Sequence, residues 1–199
     1  MENHTHYSLI ARFLHWLIMI TMVVLGLSGL YINSPVGFSL FPSMDIARLV
    51  HFIFMYILVT VALYKLFYVF HQGDLVKLIF RLRDLRSLPE LIKYYIFLSK
   101  SMPTEDKYNP GQKATYTLWF FLIVVQALTG FILYWPGPLG YLGHLLGGMS
   151  LVRLVHYLVT WVFVSTVIVH VYLVFITGGK LLIAMITGSS PQVNKKHTE

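Results

Sequence analysis

Apolar positions along the chain gather into four long runs, at about 9–32, 46–70, 114–135 and 152–177, separated by polar or turn-rich connections. Each run holds about 20 residues or more, and at about 1.5 Å per helical residue that crosses about 30 Å of hydrocarbon. Turn signals punctuate them: Asn33, Ser34 and Pro35 after the first run, and Pro136, Gly137, Pro138 and Gly140 after the third. The pattern predicts an all-α integral membrane protein, a bundle of four transmembrane helices forming a single domain over 1–199. Residues 1–8 are polar and the run after them is too long for a cleavable leader, so the first helix is expected to be retained as a span.

Composition agrees. Hydrophobic residues make up 57% of the 199 positions and charged residues 12%, roughly half the charge of a soluble domain. Cysteine is absent, which excludes a thiolate-held iron–sulfur cluster, a covalently attached c-type haem and a disulfide. Any redox metal must be held by histidine or oxygen. The formal net charge of +7 would suggest nucleic acid in a soluble chain, but here it follows membrane topology, so no nucleic-acid partner is expected. The stretch 71–113 carries Lys77, Arg81, Arg83, Arg86, Lys93, Lys100, Lys107 and Lys113, and the tail 178–199 adds Lys180, Lys195 and Lys196, whereas 33–45 and 134–150 carry no lysine or arginine. The positive-inside rule therefore places both termini and the long loop in the cytoplasm of a multi-pass protein of the inner (cytoplasmic) membrane, in contact with lipid. Within the loop, Leu75, Leu78, Ile79, Leu82 and Leu85 recur at helical spacing among basic residues. This predicts an amphipathic cytoplasmic helix on the membrane surface between spans two and three.

Ionisable groups inside spans are costly and mark function. Four histidines qualify: His15 near the cytoplasmic start of span one, His51 near the outer start of span two, and His156 and His170 near the outer and inner ends of span four. Depth pairs His51 with His156 and His15 with His170. The 14 residues between His156 and His170 turn the helix to within about 40° and advance it by about 21 Å. Both therefore face the bundle interior at two levels, as two stacked bis-histidine haems require. One membrane histidine often only bonds a neighbouring helix, but four that pair by depth and face are not so explained. A metal-ion pathway would call for carboxylates or cysteines in the spans, and only Asp45 lies near, at a boundary.

Arg48 and Arg153 defy the positive-inside trend, each three residues before an outer histidine in the same tetrapeptide, Arg-Leu-Val-His, at 48–51 and 153–156. Residues three apart share a helix face, so both are candidate partners of haem propionates. Arg12 stands in the same relation to His15. Snorkelling to headgroups would explain cationic ends but not the repeated spacing. Gly26, 11 residues after His15, would leave room for a flat macrocycle on that histidine's face at the outer depth, or equally would serve close helix packing, and Lys65, 14 after His51, could meet an inner propionate or snorkel. His4, His6, His71, His144 and His197 are assigned no role.

These residues resemble the cytochrome b subunits of membrane-bound formate dehydrogenases and their relatives in thiosulfate reductases and nickel–iron hydrogenases. The likeness runs through Arg-Phe-Leu-His-Trp (12–16), Arg-Leu-Val-His of span two, Lys-Tyr-Asn-Pro-Gly-Gln-Lys (107–113), the span-four histidines and Gly-Lys-Leu-Leu-Ile-Ala-Met-Ile-Thr-Gly (179–188). It implies two haem b, the outer on His51 and His156 and the inner on His15 and His170, with menaquinone or another quinone held by Asn109, Gly111 and Gln112. It further implies an iron–sulfur subunit at the outer face and a catalytic subunit. The short C-terminus departs from the family in lacking its usual tryptophan. On the residues alone, 107–113 offers amide donors and acceptors and a glycine for close approach. Asn109 can equally cap span three, with Pro110 at the first helical position. The expected function is electron carriage across the membrane between the iron–sulfur partner and quinone, as the electron-transfer and quinone-reacting subunit of an oxidoreductase complex. The alternative is a stand-alone di-haem cytochrome b exchanging electrons between a small molecule and quinone.

Overall fold

The structure is a computed structural model that describes residues 7–35, 40–71, 73, 79–99, 109–176 and 179–188. Among them the chain is helical: α1 Leu9–Asn33, α2 Met44–His71, a 3₁₀ turn Leu82–Ser87, α3 Leu88–Tyr95, α4 Pro110–Tyr134, α5 Pro136–Leu145, α6 Met149–Ile176 and α7 Lys180–Thr187. Four of these, α1, α2, α4 and α6, are long and apolar enough to cross a membrane, with mean hydropathy between 2.0 and 2.2. Their outward faces are hydrophobic: Phe13, Leu63 and Ile168 are more than 60% exposed. A surface of that kind is stable in lipid and not in water.

The spans begin where polar side chains satisfy free N–H groups. Ser8 accepts from Ala11 N–H to open α1, and Ser43 accepts from Ile46 N–H to open α2. Asn109 opens α4 with a reciprocal capping box: its Oδ1 accepts from Gln112 N–H at 2.8 Å, and Gln112 Oε1 accepts from Asn109 N–H at 3.1 Å. Span three therefore starts at Pro110 rather than at 114.

Two connections differ from expectation. Residues 136–145 form a helix, α5, where prolines and glycines predict a turn. Pro136 and Pro138 sit in its first turn, where backbone N–H groups have no partner inside the helix, so proline is tolerated. In the long loop, Leu82 and Leu85 lie in a 3₁₀ turn and are exposed, and the regular helix is α3, entered at Pro89, with Leu91 as its buried residue. Leu75, Lys77 and Leu78 of the expected amphipathic helix lie outside the described residues, as do His4, His6 and His197.

Packing makes two hairpins. α1 lies along α2, and α4 along α6; the two pairs meet chiefly through α2 and α4. The loop 79–99 folds back on the start of α4: Phe80 N–H donates to Thr117 Oγ1. At the same end, Tyr7 N–H donates to the carbonyl of Gly188 at 3.1 Å. The start of span one and the segment after span four therefore share one side of the bundle.

Candidate haem-binding site

Between the hairpins, the four histidines come together in the pairs that depth predicts. The ring centroids of His51 and His156 lie 6.4 Å apart, and those of His15 and His170 6.5 Å apart. A metal–imidazole bond of about 2.0–2.1 Å plus a ring radius of roughly 1.1 Å, taken twice, gives roughly 6.3 Å for two imidazoles sharing one metal. Both separations therefore fit one iron between each pair. A Cβ added to Gly26 would meet nothing within 4 Å, so the position is open and is not a close helix contact. Among the described residues no three of histidine, cysteine, aspartate or glutamate cluster as a bare metal site would need.

His51 and His156, the pair expected at the outer side, are held by hydroxyls that sequence reading missed. Ser28 Oγ lies 2.9 Å from His51 Nδ1, and Thr129 Oγ1 lies 2.8 Å from His156 Nδ1. Gly29 and Gly130 follow these hydroxyl residues, and a Cβ on either would stand 3.1 Å from His51 Cε1 or 3.5 Å from His156 Cε1. Gln126 Nε2 also donates to the His156 carbonyl and to Thr160 Oγ1, tying α4 to α6 at this level. The available signal was the recurrence of Leu-Ser-Gly at 27–29 and Leu-Thr-Gly at 128–130, each on the span before an Arg-Leu-Val-His.

The inner histidines keep different company. His15 stands edge-on to Trp16 and His170 edge-on to Trp119, whose indole N–H donates to Thr166 Oγ1 and whose ring stacks on Phe163.

The arginines separate. Arg48 pairs with Asp45 at 3.8 Å, both side chains largely exposed, and Arg153 is exposed. Asp45 thus supplies an anion for Arg48 that the sequence reading sought in a propionate. Arg12 donates to the carbonyls of Met185 and Ile186, and Trp16 Nε1 donates to Met185 O. These are the last carbonyls of α7, which a cationic donor satisfies well. Gly188, at φ 93°, ends that helix where a Cβ would come within 2.8 Å of Arg12 Nη1.

Asn109, Gly111 and Gln112 form one polar corner at the start of α4. Asn109 is buried; besides capping, its Nδ2 donates to Tyr95 Oη at 3.2 Å. Burial pushes the Tyr95 phenol up, against the opposing pull of that bond. Leu91 lies against Gly111, where a Cβ would meet its Cδ2 at 3.0 Å. Beside them Lys113 pairs with Asp84 at 3.6 Å, each side chain only 9% exposed. The capping reading of Asn109 is therefore correct, and Asp84 and Tyr95 are partners that the sequence did not reveal.

Four apolar spans with two facing histidine pairs define a membrane cytochrome b. The chain belongs to the prokaryotic cytochrome b561 family, whose model matches residues 6–188. It is thus a transmembrane, haem-binding protein of electron transport. It is 29% identical over 187 residues to a Ni/Fe-hydrogenase B-type cytochrome subunit, so named, of Azotobacter vinelandii, covering 84% of this chain and 78% of that one. A Ni/Fe-hydrogenase 1 B-type cytochrome subunit, so named, of Escherichia coli K12 is 26% identical over 197 residues, covering 86% and 82%. A protein named as a protein-methionine-sulfoxide reductase subunit, YedZ1, of Azospira oryzae is 32% identical over 187 residues, covering 89% and 93%.

Proposed function

We propose that this chain is the membrane subunit of a respiratory redox complex. His51 and His156 hold one haem b at the outer face, and His15 and His170 hold a second at the cytoplasmic side. Electrons pass between an iron–sulfur partner outside and menaquinone or another quinone inside. The observation that carries this reading is the pair of ring separations, 6.4 and 6.5 Å, reached on four different histidines. Haem held there by two imidazoles would supply reversible one-electron storage, chemistry suited to electron transfer and not to substrate binding at the metal.

The chain's own residues do the remaining work. The span helices fix the two levels, and apolar side chains keep water from them. Asn109, Gly111 and Gln112 form the quinone corner. In its favour, Gln112 lies seven residues, about 10 Å or two turns, before Trp119, which packs on His170. The lysines and arginines of 71–113 favour a cytoplasmic position for this end. A Ni/Fe-hydrogenase is the catalytic partner favoured by the names of the Azotobacter and Escherichia relatives, with formate dehydrogenase and thiosulfate reductase as its rivals by motif. The relative named as a methionine-sulfoxide reductase subunit favours a second reading, in which quinol is oxidised and electrons leave outward.

Reduced-minus-oxidised spectra and a haem-to-protein ratio on the purified complex test both. Hydrogen should reduce the haems under the first reading; under the second, menaquinol should reduce them and a sulfoxide should reoxidise them. An intact preparation that is colourless and iron-free would sink the assignment altogether.

A further inference from the structure

We propose that Ser28 and Thr129 are positioning residues for the outer haem ligands, each accepting the Nδ1–H of its histidine and so presenting Nε2 to iron. The inference rests on the haem reading above and adds to it a device that fixes the tautomer and lowers the potential of one haem only.

The direction of each hydrogen bond follows from counting protons. A hydroxyl has one to give. Ser28 Oγ lies 2.7 Å from the Val24 carbonyl, and Thr129 Oγ1 lies 2.6 Å from the Val125 carbonyl, both four residues back in their own helices. A carbonyl can only accept, so each hydroxyl proton goes there. The contact to His51 or His156 then closes only if Nδ1 carries the hydrogen. Nε2 is left with its lone pair, the form in which imidazole binds a metal. Neither hydroxyl is open to competing water: Ser28 is fully buried and Thr129 is 6% exposed.

Back-bonding by a helical serine or threonine is ordinary on its own. Here it occurs twice, from two helices, at the same atom of two facing ligands, and each time a glycine follows to receive the ring. Among the described residues the inner pair has no such hydroxyl on its ring nitrogens. His15 and His170 are flanked by indoles, and the nearby Thr166 hydroxyl receives the Trp119 N–H instead. A hydrogen bond from the far nitrogen raises the basicity of a metal-bound imidazole. A more basic ligand favours oxidised iron, so losing the acceptor moves the outer haem's potential upward.

The test is a redox titration of the purified complex, followed optically and by the EPR of the ferric haems, in Ser28→Ala and Thr129→Val. One midpoint should move positive with a changed ferric signal, the other staying in place. Ser28→Thr and Thr129→Ser, which restore a hydroxyl, should return both readouts. Loss of one haem in the hydroxyl-free variants, with full retention in the hydroxyl-bearing ones, supports the same role through anchoring. Unchanged midpoints and signals, equal shifts of both haems, or hydroxyl-bearing variants that behave like the hydroxyl-free ones would overturn it. A colourless parent complex would instead sink the haem reading itself, a result visible before any variant is made.

Discussion

The two ends of the bundle solve one problem with different materials. At both, a pair of imidazoles stands about one iron apart, 6.4 Å at the end proposed as outer and 6.5 Å at the end proposed as inner. At the outer end, support comes from within the spans: Ser28 on α1 and Thr129 on α4 take the ring nitrogens, and the ion pair there, Asp45–Arg48, is open to solvent. At the inner end, the histidines meet indoles, and chain from outside the spans closes the structure. The loop packs Asp84, Leu91 and Tyr95 on the start of α4, and α7 is clasped by Arg12 and Trp16. Equal ligand spacing thus does not mean equal surroundings. On the proposed roles, one level holds its rings from within the spans, and the other rests on the loop 79–99 and on α7.

The largest expected effect breaks the pairing itself. On the proposed two-haem assignment, His51→Ala should remove the outer haem and block electron entry, lowering the ratio from about two haems per chain to about one. His170→Ala should remove the inner haem and quinone reactivity while the outer haem is still reduced. Haem counts with spectra of each variant measure this. If both haems vanish equally in each variant, the levels are not independent and the comparison fails.

Much of this was legible beforehand because helical periodicity acts within one element. Spacing and depth give the four histidines and their pairing without knowledge of any contact, and Asn-Pro at 109–110 announces a helix start. Contacts between elements are another matter. Ser28 and His51 are 23 residues apart on different helices, and no period relates them. Arg12 shows the converse. Its spacing to His15 matches that of Arg48 to His51, yet its guanidinium reaches α7, more than 170 residues away. Leucines at helical spacing over 82–85 pointed to a regular helix, but that segment forms a 3₁₀ turn just before Pro89. Prolines that read as a turn at 136–138 instead begin α5, since a first turn needs few N–H donors.

Next in size is the inner seal. Asp84 and Lys113 are each 9% exposed, so removing one leaves the other's charge buried. Asp84→Ala should destabilise the complex by about 3–5 kcal/mol, while replacing Lys113 as well by an apolar residue of similar volume should recover part of that, the acceptor of the Arg81 N–H being lost in both. Melting in mild detergent compares them, and a single substitution no worse than the double would show that the pair does not seal this end. The Asp45–Arg48 pair at the other end should show no such asymmetry, because water screens it.

A smaller effect separates the two roles of Asn109. Asn109→Ala should weaken the first turn of α4 by about 1 kcal/mol, and Asn109→Ser should recover most of it. Haem content should be intact in both. Quinone kinetics should be impaired in both as well, because serine restores the cap but not the amide. Full recovery of quinone turnover in Asn109→Ser would make the residue a helix cap alone.

The smallest expected effect concerns the outer arginines, and its sign makes it useful. A cation beside a propionate favours the more negative, reduced haem. If Arg48 and Arg153 serve that role, Arg48→Gln and Arg153→Gln should each move the outer midpoint slightly negative, more so at low ionic strength. Loss of the Ser28 or Thr129 hydroxyl should move the same midpoint positive, through the ligand rather than through the field. Opposite shifts of one haem, with the other unmoved, would show both devices at work on the outer level alone. Because Asp45 already stands 3.8 Å from Arg48, the shift should be smaller for Arg48→Gln than for Arg153→Gln. Equal silence from both arginines in a titration at low salt would assign them to the membrane surface and leave the hydroxyls as the feature that distinguishes the two ends.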